Sequence, residues 1–308
     1  MKGKLAACVV SGWLLGTTAY AGELNGLGVT VPSLGNPYFT ALVAGARDKA
    51  REINSNVKVS SQTPEYDLSK QATLFDQFMS AKVDAIVIAA TDAVADGPIV
   101  KRAKSAGVVV VAADSSAPGV NAAVETDNVQ LGIDTCTYMI DKIGGKGDVI
   151  ILNGPAVAPI LARVKGCKEA LAKHPQVHVL SDNQNGKSSR EGGLNIMQSL
   201  LTRFPHIDGV FAINDQEAIG ASLAARQLNR ADPVFFGVDG SPDAVAAIKD
   251  PATRVLATGA QDPYALGQRA VEVANDILHG KAPAAEVEQL KPVLVTRDNV
   301  STYKGWAR

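Results

Sequence analysis

Amides and carboxylates recur in this sequence at one kind of place, just after a short run of β-branched residues. They are Asn36, Thr91 with Asp92, Asp114, Asp127 with Asn128, Asn153, Asn214 with Asp215, Asp239, and Gln261 with Asp262. Helix capping accounts for most of them singly, because Asp and Asn after a strand satisfy free N–H groups of the next helix. Capping does not account for Gln261, a poor cap. Nor does it account for Asn36-Pro37-Tyr38-Phe39, where two rings stand side by side in a chain only 5% aromatic. The first turn of a helix is not expected to direct both rings into a core. Amides and carboxylates beside aromatic faces suit a neutral polyhydroxy ligand. Hydroxyls both donate and accept, and the C–H faces of a sugar pack on rings. Asn36 is therefore expected to divide its amide between the helix it caps and a ligand hydroxyl.

The elements that must position these residues follow from periodicity. Strands are expected at 27–31, 57–61, 84–90, 108–113, 148–153, 177–181, 209–214, 234–239 and 255–260, several apolar on both faces as buried parallel strands are. Between them lie amphipathic stretches near 68–81, 93–105, 129–143, 159–173, 189–203, 216–228, 241–249 and 264–279. A first helix opens with Asn36 as N-cap and Pro37 at N1, and Leu42, Val43, Ala46, Ala50 and Ile53 share its inner face. This alternation predicts a doubly wound α/β architecture. Nine strands exceed one small sheet, and at 122–132 a strand meets a polar turn before a new series begins. Two lobes of similar size are expected. Ligands of such sheets bind beyond the carboxyl ends of the strands, so two facing lobes would enclose a cleft.

The bulk properties narrow the function classes. The 308 residues are 46% apolar and 20% charged, with a formal net charge of -1. No basic surplus marks a nucleic-acid partner. Lys2 and Lys4, the apolar run LAACVVSGWLLG and the small residues Ala19 and Ala21 predict a cleaved signal peptide over 1–21, leaving an exported, slightly acidic product. Cys8 precedes the bulk of the apolar run rather than following it, so lipid attachment is not expected. No later stretch offers a membrane span. There is no GxGxxG, Walker A, GxSxG or HExxH pattern. His174 and His178 are separated by Pro175 and do not form a helical metal pair. No cofactor or metal is expected, and an acid-lined hydrolase site is retained as a minor alternative.

The stretches NPYF (36–39), VFAINDQEAIGA, FFGVDGSPDA, TGAQDPYALG and GGLNIMQSLL, with the leader, resemble the ribose-type periplasmic sugar-binding proteins of ABC importers. The similarity runs from about residue 25 to the end. The same fold forms the effector-binding core of lac-repressor-like regulators, which carry a helix-turn-helix where this chain has a leader. The resemblance implies two doubly wound parallel-sheet lobes joined by a three-crossover hinge near 126–127, 261–262 and 290–291. The lobes would be 22–126 plus 262–290, and 127–261 plus 291–308. It implies ligand contacts at Asn36, Tyr38, Phe39 and Asp114 in the first lobe, Arg163, Asn214 and Asp239 in the second, and Gln261 at the hinge. It further implies a monomer that binds a small sugar or polyol, delivers it to the inner-membrane ABC permease and catalyses nothing. An exported receptor feeding chemotaxis or a sensor kinase is the compatible alternative.

Three positions depart from the ribose-type pattern. Ser115 stands where an arginine is expected after the strand-end aspartate. Ala89 replaces an asparagine before Ala90-Thr91-Asp92. Ser188 replaces the second-lobe aromatic of the sandwich. A missing guanidinium, amide and ring change which hydroxyl pattern fits, so a different pentose, a hexose or a polyol is expected rather than ribose. Lys187 and Arg190 lie beside the last departure, although solvation of a helix surface also accounts for both.

Of the three cysteines, Cys8 leaves with the leader. Val129, Ile133, Cys136, Ile140 and Ile143 share one helical face, and Ile160, Val164, Cys167 and Leu171 share another. Both thiols point inward from consecutive helices. Two buried free thiols are one outcome. A bridge is the other, favoured by an oxidising compartment if the two helices lie on the same side of the sheet.

Overall fold

A computed structural model describes residues 22–306. The expected leader over 1–21, with Cys8, lies outside the described residues, as do 307–308. Two six-stranded sheets with helices on both faces make an α/β molecule of two lobes. In the first sheet, β1 (Gly26–Thr30), β2 (Lys58–Gln62), β3 (Ala85–Ile88), β4 (Val109–Ala113), β5 (Ala122–Thr126) and β11 (Val287–Leu290) are ordered β11-β5-β4-β3-β1-β2, all parallel. The second sheet is built from β6 (Gly147–Asn153), β7 (Val177–Asn185), β8 (Gly209–Ala212), β9 (Val234–Asp239), β10 (Val255–Ala260) and β12 (Val293–Thr296). Its order is β12-β10-β9-β8-β6-β7, with only β12 antiparallel. The chain crosses between sheets after β5, after β10 and between β11 and β12.

The last two pairing strands, β11 and β12, were not among those expected. Each is four residues long and half-exposed, with Pro292 between them, and so carries little of the buried β-branched signal that marks the others. Central strands such as β4 (VVVAA) are buried at every position. That follows from helices covering both faces of a parallel sheet.

The helices are α1 (Pro37–Ile53), α2 (Leu68–Ser80), α3 (Gly97–Ser105), α4 (Asn128–Lys142), α5 (Ala158–Leu171), α6 (Arg190–Arg203), α7 (Asp215–Gln227), α8 (Pro242–Lys249) and α9 (Pro263–Leu278). Most begin on a side-chain cap that accepts from the first turn. Asn36, Asp67, Asp127, Ser189, Asn214, Ser241 and Asp262 serve in this way.

Three helix pairs pack closely, each through reciprocal glycines. In α1·α9 they are Gly45 and Gly267, in α4·α5 Gly132 and Gly166, and in α6·α7 Gly193 and Gly220. A Cβ at any of the six would collide with a main-chain carbonyl of the facing helix, so only glycine permits this approach. Among the described residues, no helix is long and apolar enough to cross a membrane.

Close α4·α5 packing puts both helices on the same side of the second sheet. Cys136 and Cys167 meet there in a disulfide, with Cα atoms 5.1 Å apart and both residues fully buried. The buried stripe of α4 is Leu131, Gly132, Thr135, Cys136, Met139 and Ile140. Val129, Ile133 and Ile143 sit at its margin rather than at its centre. The stripe turns because Gly132, not a larger apolar residue, makes the closest approach.

Candidate functional site

The carboxyl ends of both sheets face one cleft of about 760 Å³, within the ordinary range for small-molecule sites. Its lining includes Asn36, Tyr38, Phe39, Asp114, Arg163, Asn214, Asp239 and Gln261. All eight residues singled out in the sequence are thus brought together.

From the first lobe, Asn36 caps α1 through its Oδ1, which accepts from the Tyr38 N–H at 3.0 Å. Its amide nitrogen is left for another acceptor. Tyr38 and Phe39 overturn the expectation that the first helical turn buries only one ring, for they are 4% and 8% exposed. They pack edge to face at 5.4 Å, and the end of the sheet leaves room for both beneath the cleft. The Tyr38 hydroxyl donates to Asp114 Oδ1 at 2.7 Å and lies 3.3 Å from Gln261 Oε1. Asp114 follows β4 at φ 72°. Burial pushes its carboxyl up from the usual range, against the lowering effects of the Tyr38 hydroxyl and the Arg163 charge.

From the second lobe, Arg163 projects from α5 and is almost fully buried. Its Nε donates to Asn128 Oδ1 at 2.8 Å and one terminal nitrogen to the Ile213 carbonyl at 2.9 Å. The same nitrogen lies 3.5 Å from Asp239 Oδ1. Gln261 donates its amide to that carboxylate at 2.8 Å. Burial raises Asp239, opposed by Arg163 and Gln261. Behind it, Asp215 is raised first by burial and then by the charge of Asp239, while Thr258 and Ser241 donate to it. Asn214 caps α7 by accepting from Glu217 N–H and donates to the Ser188 carbonyl.

The other strand-end residues divide between support and capping. Asn128 holds Arg163, and Asp215 forms the tier beneath Asp239. Asp92 accepts from Val94 and Ala95, Asn153 from Gly154, and Asp127 and Asp262 cap helices. Thr91, Ser115 and Ser188 line the cleft, whereas Ala89 is buried out of it. The Ser115 hydroxyl donates to the Ala90 carbonyl. Lys187 and Arg190 reach the lining, Arg190 paired with Asp243 at 2.7 Å. Among the described residues no cluster of His, Cys, Asp or Glu could hold a metal ion.

Two aromatic residues at the cleft carry no signal in the sequence. Tyr66 lines the cleft from the β2–α2 loop and is 61% exposed. Its backbone N–H donates to the Pro32 carbonyl, which ties the loop to the end of β1. Trp306 packs edge-on to Tyr38 from the C-terminal tail. It joins the core of the first lobe, although 291–308 was expected to belong with the second. A lone exposed ring in a loop and a lone ring near the terminus carry no periodic signal.

The geometry agrees with known proteins. A family model, the periplasmic binding protein domain, matches residues 27–282. The chain is 36% identical to the ribose import binding protein of Bacillus subtilis, over 83% of this chain and 82% of that one. It is 30% identical to the xylitol-binding protein of Mycolicibacterium smegmatis, over 92% and 81%. An ABC transporter periplasmic solute binding protein from Actinobacillus succinogenes, solved with bound D-allose, superposes with a TM-score of 0.84 at 27% identity, covering 90% of this chain and 99% of that one. Two lobes that face one polar, ring-lined cleft, together with these matches, establish that the chain belongs to the periplasmic binding protein family.

Proposed function

We propose that this protein is the substrate-binding component of an ABC importer, binding a small sugar or polyol between its lobes and releasing it unchanged to an inner-membrane permease. The observation that carries the reading is the cleft lining. Hydroxyl-matching groups come from both walls and the hinge, beside two buried rings. Relatives whose names specify ribose import and xylitol binding support the ligand class. Asp114, Arg163, Asn214, Asp239 and Gln261 would grip the hydroxyls, with Asn36 contributing its amide nitrogen. Tyr38 and Phe39 would cover an apolar face. Ser115 and Ser188 remove a guanidinium and a ring from the ribose-type pattern, which favours another pentose, a hexose or an acyclic polyol over ribose. Tyr66 would add stacking surface on the first-lobe wall. The leader over 1–21 supports export to the periplasm, and the protein would act there as a monomer.

A thermal-shift screen against pentoses, hexoses and polyols tests this reading. A ligand at a thousandfold excess over its Kd stabilises by about 4 kcal/mol, so at least one member should raise the melting temperature by several degrees. The ligand recovered from the complex should be chemically unchanged. Arg163→Ala should weaken binding by about 2–4 kcal/mol, since it leaves a buried carboxylate without its cation. No shift with any member, or conversion of the ligand, would overturn the assignment.

A further inference from the structure

The C-terminal tail reaches the cleft from behind. Trp306 is 5% exposed, and its indole N–H donates to the main-chain carbonyl of Asp239 at 2.9 Å. Its ring meets Tyr38 edge-on, with centroids 5.6 Å apart. Three residues earlier, the Tyr303 hydroxyl donates to the carbonyl of Gly240 at 3.1 Å. The tail therefore holds two successive carbonyls of the turn that ends β9. That turn needs holding. Asp239 has φ 125° and Gly240 φ 74°, and a non-glycine residue with such a φ persists only where its surroundings over-determine it. The Asp239 carbonyl also accepts from the Gln261 N–H at 3.1 Å, so the hinge and the tail converge on one oxygen.

We propose that Trp306 is a positioning residue for ligand binding. By fixing the Asp239 backbone and backing the Tyr38 ring, it keeps a carboxylate of one lobe and an aromatic of the other in register across the cleft. This rests on the reading that the cleft binds a sugar or polyol. An indole N–H is a donor only, so this bond is specific in direction. A ring that merely filled space would contribute to stability without touching the geometry of Asp239.

The two roles separate experimentally. Trp306→Phe keeps a ring against Tyr38 and removes the N–H, whereas Trp306→Leu removes both. With D-ribose, D-allose and xylitol as probes, Trp306→Phe should weaken whichever binds several-fold, because the Asp239 carboxylate loses the tie that holds it in register. Its melting temperature should fall by no more than a few degrees, the cost of one buried hydrogen bond. Undiminished affinity in Trp306→Phe would overturn the proposal.

A second measurement does not depend on a variant that must fold without the indole. The chain has two tryptophans, Trp13 and Trp306, so in the full chain carrying Trp13→Phe, emission comes from Trp306 alone. Saturating probe should shift it, and constant emission at saturation would equally overturn the proposal. If no probe binds wild type, the sugar-binding reading fails for these ligands, and amide hydrogen exchange decides the clamp. Exchange at residues 239–241 and 261 should be faster in Trp306→Phe, and unchanged exchange there would reject the tail as a positioning element.

Discussion

Asp114 and Asp239 line the cleft, the buried Arg163 guanidinium lies 3.5 Å from Asp239, and Asp215 lies behind. All three are raised from the ordinary carboxylate value, burial being the largest cause in each. A raised acid holds its proton more tightly in the folded chain. Its contribution to stability is therefore complete below the ordinary value of 3.8 and is lost as pH climbs through the folded value. Hydroxyl donors of a ligand act in the opposite sense, because they favour the ionised acceptor. Binding should release protons, and affinity should fall as pH drops from neutrality towards 4. Calorimetry with a ligand found in the screen should give a Kd about tenfold weaker at pH 5 than at pH 7.5. Asp239→Asn should bind more weakly at both and lose most of the difference. Equal wild-type affinity at the two pH values would mean that neither acid changes its protonation on binding. These acids were legible in the sequence because each lies at or just after a strand end, and the strand ends face the cleft. Tyr66 and Trp306 were not, because their places depend on where a loop and a tail run after folding.

Helix pairing sets the site as firmly as the strands do. Arg163 reaches the cleft because α5 lies against α4 through Gly132 and Gly166, with Asn128 of α4 fixing its Nε. The same approach brings Cys136 to Cys167. Periodicity placed both thiols inward, but the side of the sheet each helix takes follows from the strand order and the right-handed crossovers, and the glycines then set how closely the two helices approach. A bridge over a sequence separation of 31 should stabilise by about 3–4 kcal/mol in the chain-entropy model. It sits in the core of the second lobe, away from the cleft lining. Denatured, unreduced protein lacking residues 1–21 should show no titratable thiol. Reduction should lower the melting temperature by several degrees and leave ligand affinity nearly unchanged. Two free thiols in protein isolated from an oxidising compartment would contradict the bridge. The short pairing strands β11 and β12 escaped the sequence for a related reason, since strand addition at a half-exposed sheet edge needs little apolar pattern.

At the scale of the whole molecule, three crossovers and a tail join two lobes, each with a core on both faces of its sheet. The first-lobe core gathers Val29, Val87 and Val111 with α1 and α9, while the second lobe is built around Ile150, Phe211 and Phe236. Apart from Trp306, which joins the first-lobe core and bonds to Asp239, few segments connect the lobes, so rotation about them would leave both interiors packed. Asn36, Phe39 and Asp114 stand on one wall of the cleft, Arg163 and Asn214 on the other, and Gln261 lies at the junction. A ligand that bonds to both walls gains all its contacts only when they approach. It must therefore favour closed conformations by its differential affinity for them. Small-angle scattering should give a smaller radius of gyration at saturation than without ligand. Arg163→Ala at saturating ligand should close less completely, because the second wall then offers fewer bonds. A radius unchanged at confirmed saturation would mean that the ligand is held by one wall alone, and the cleft would then be a rigid site rather than a closing one.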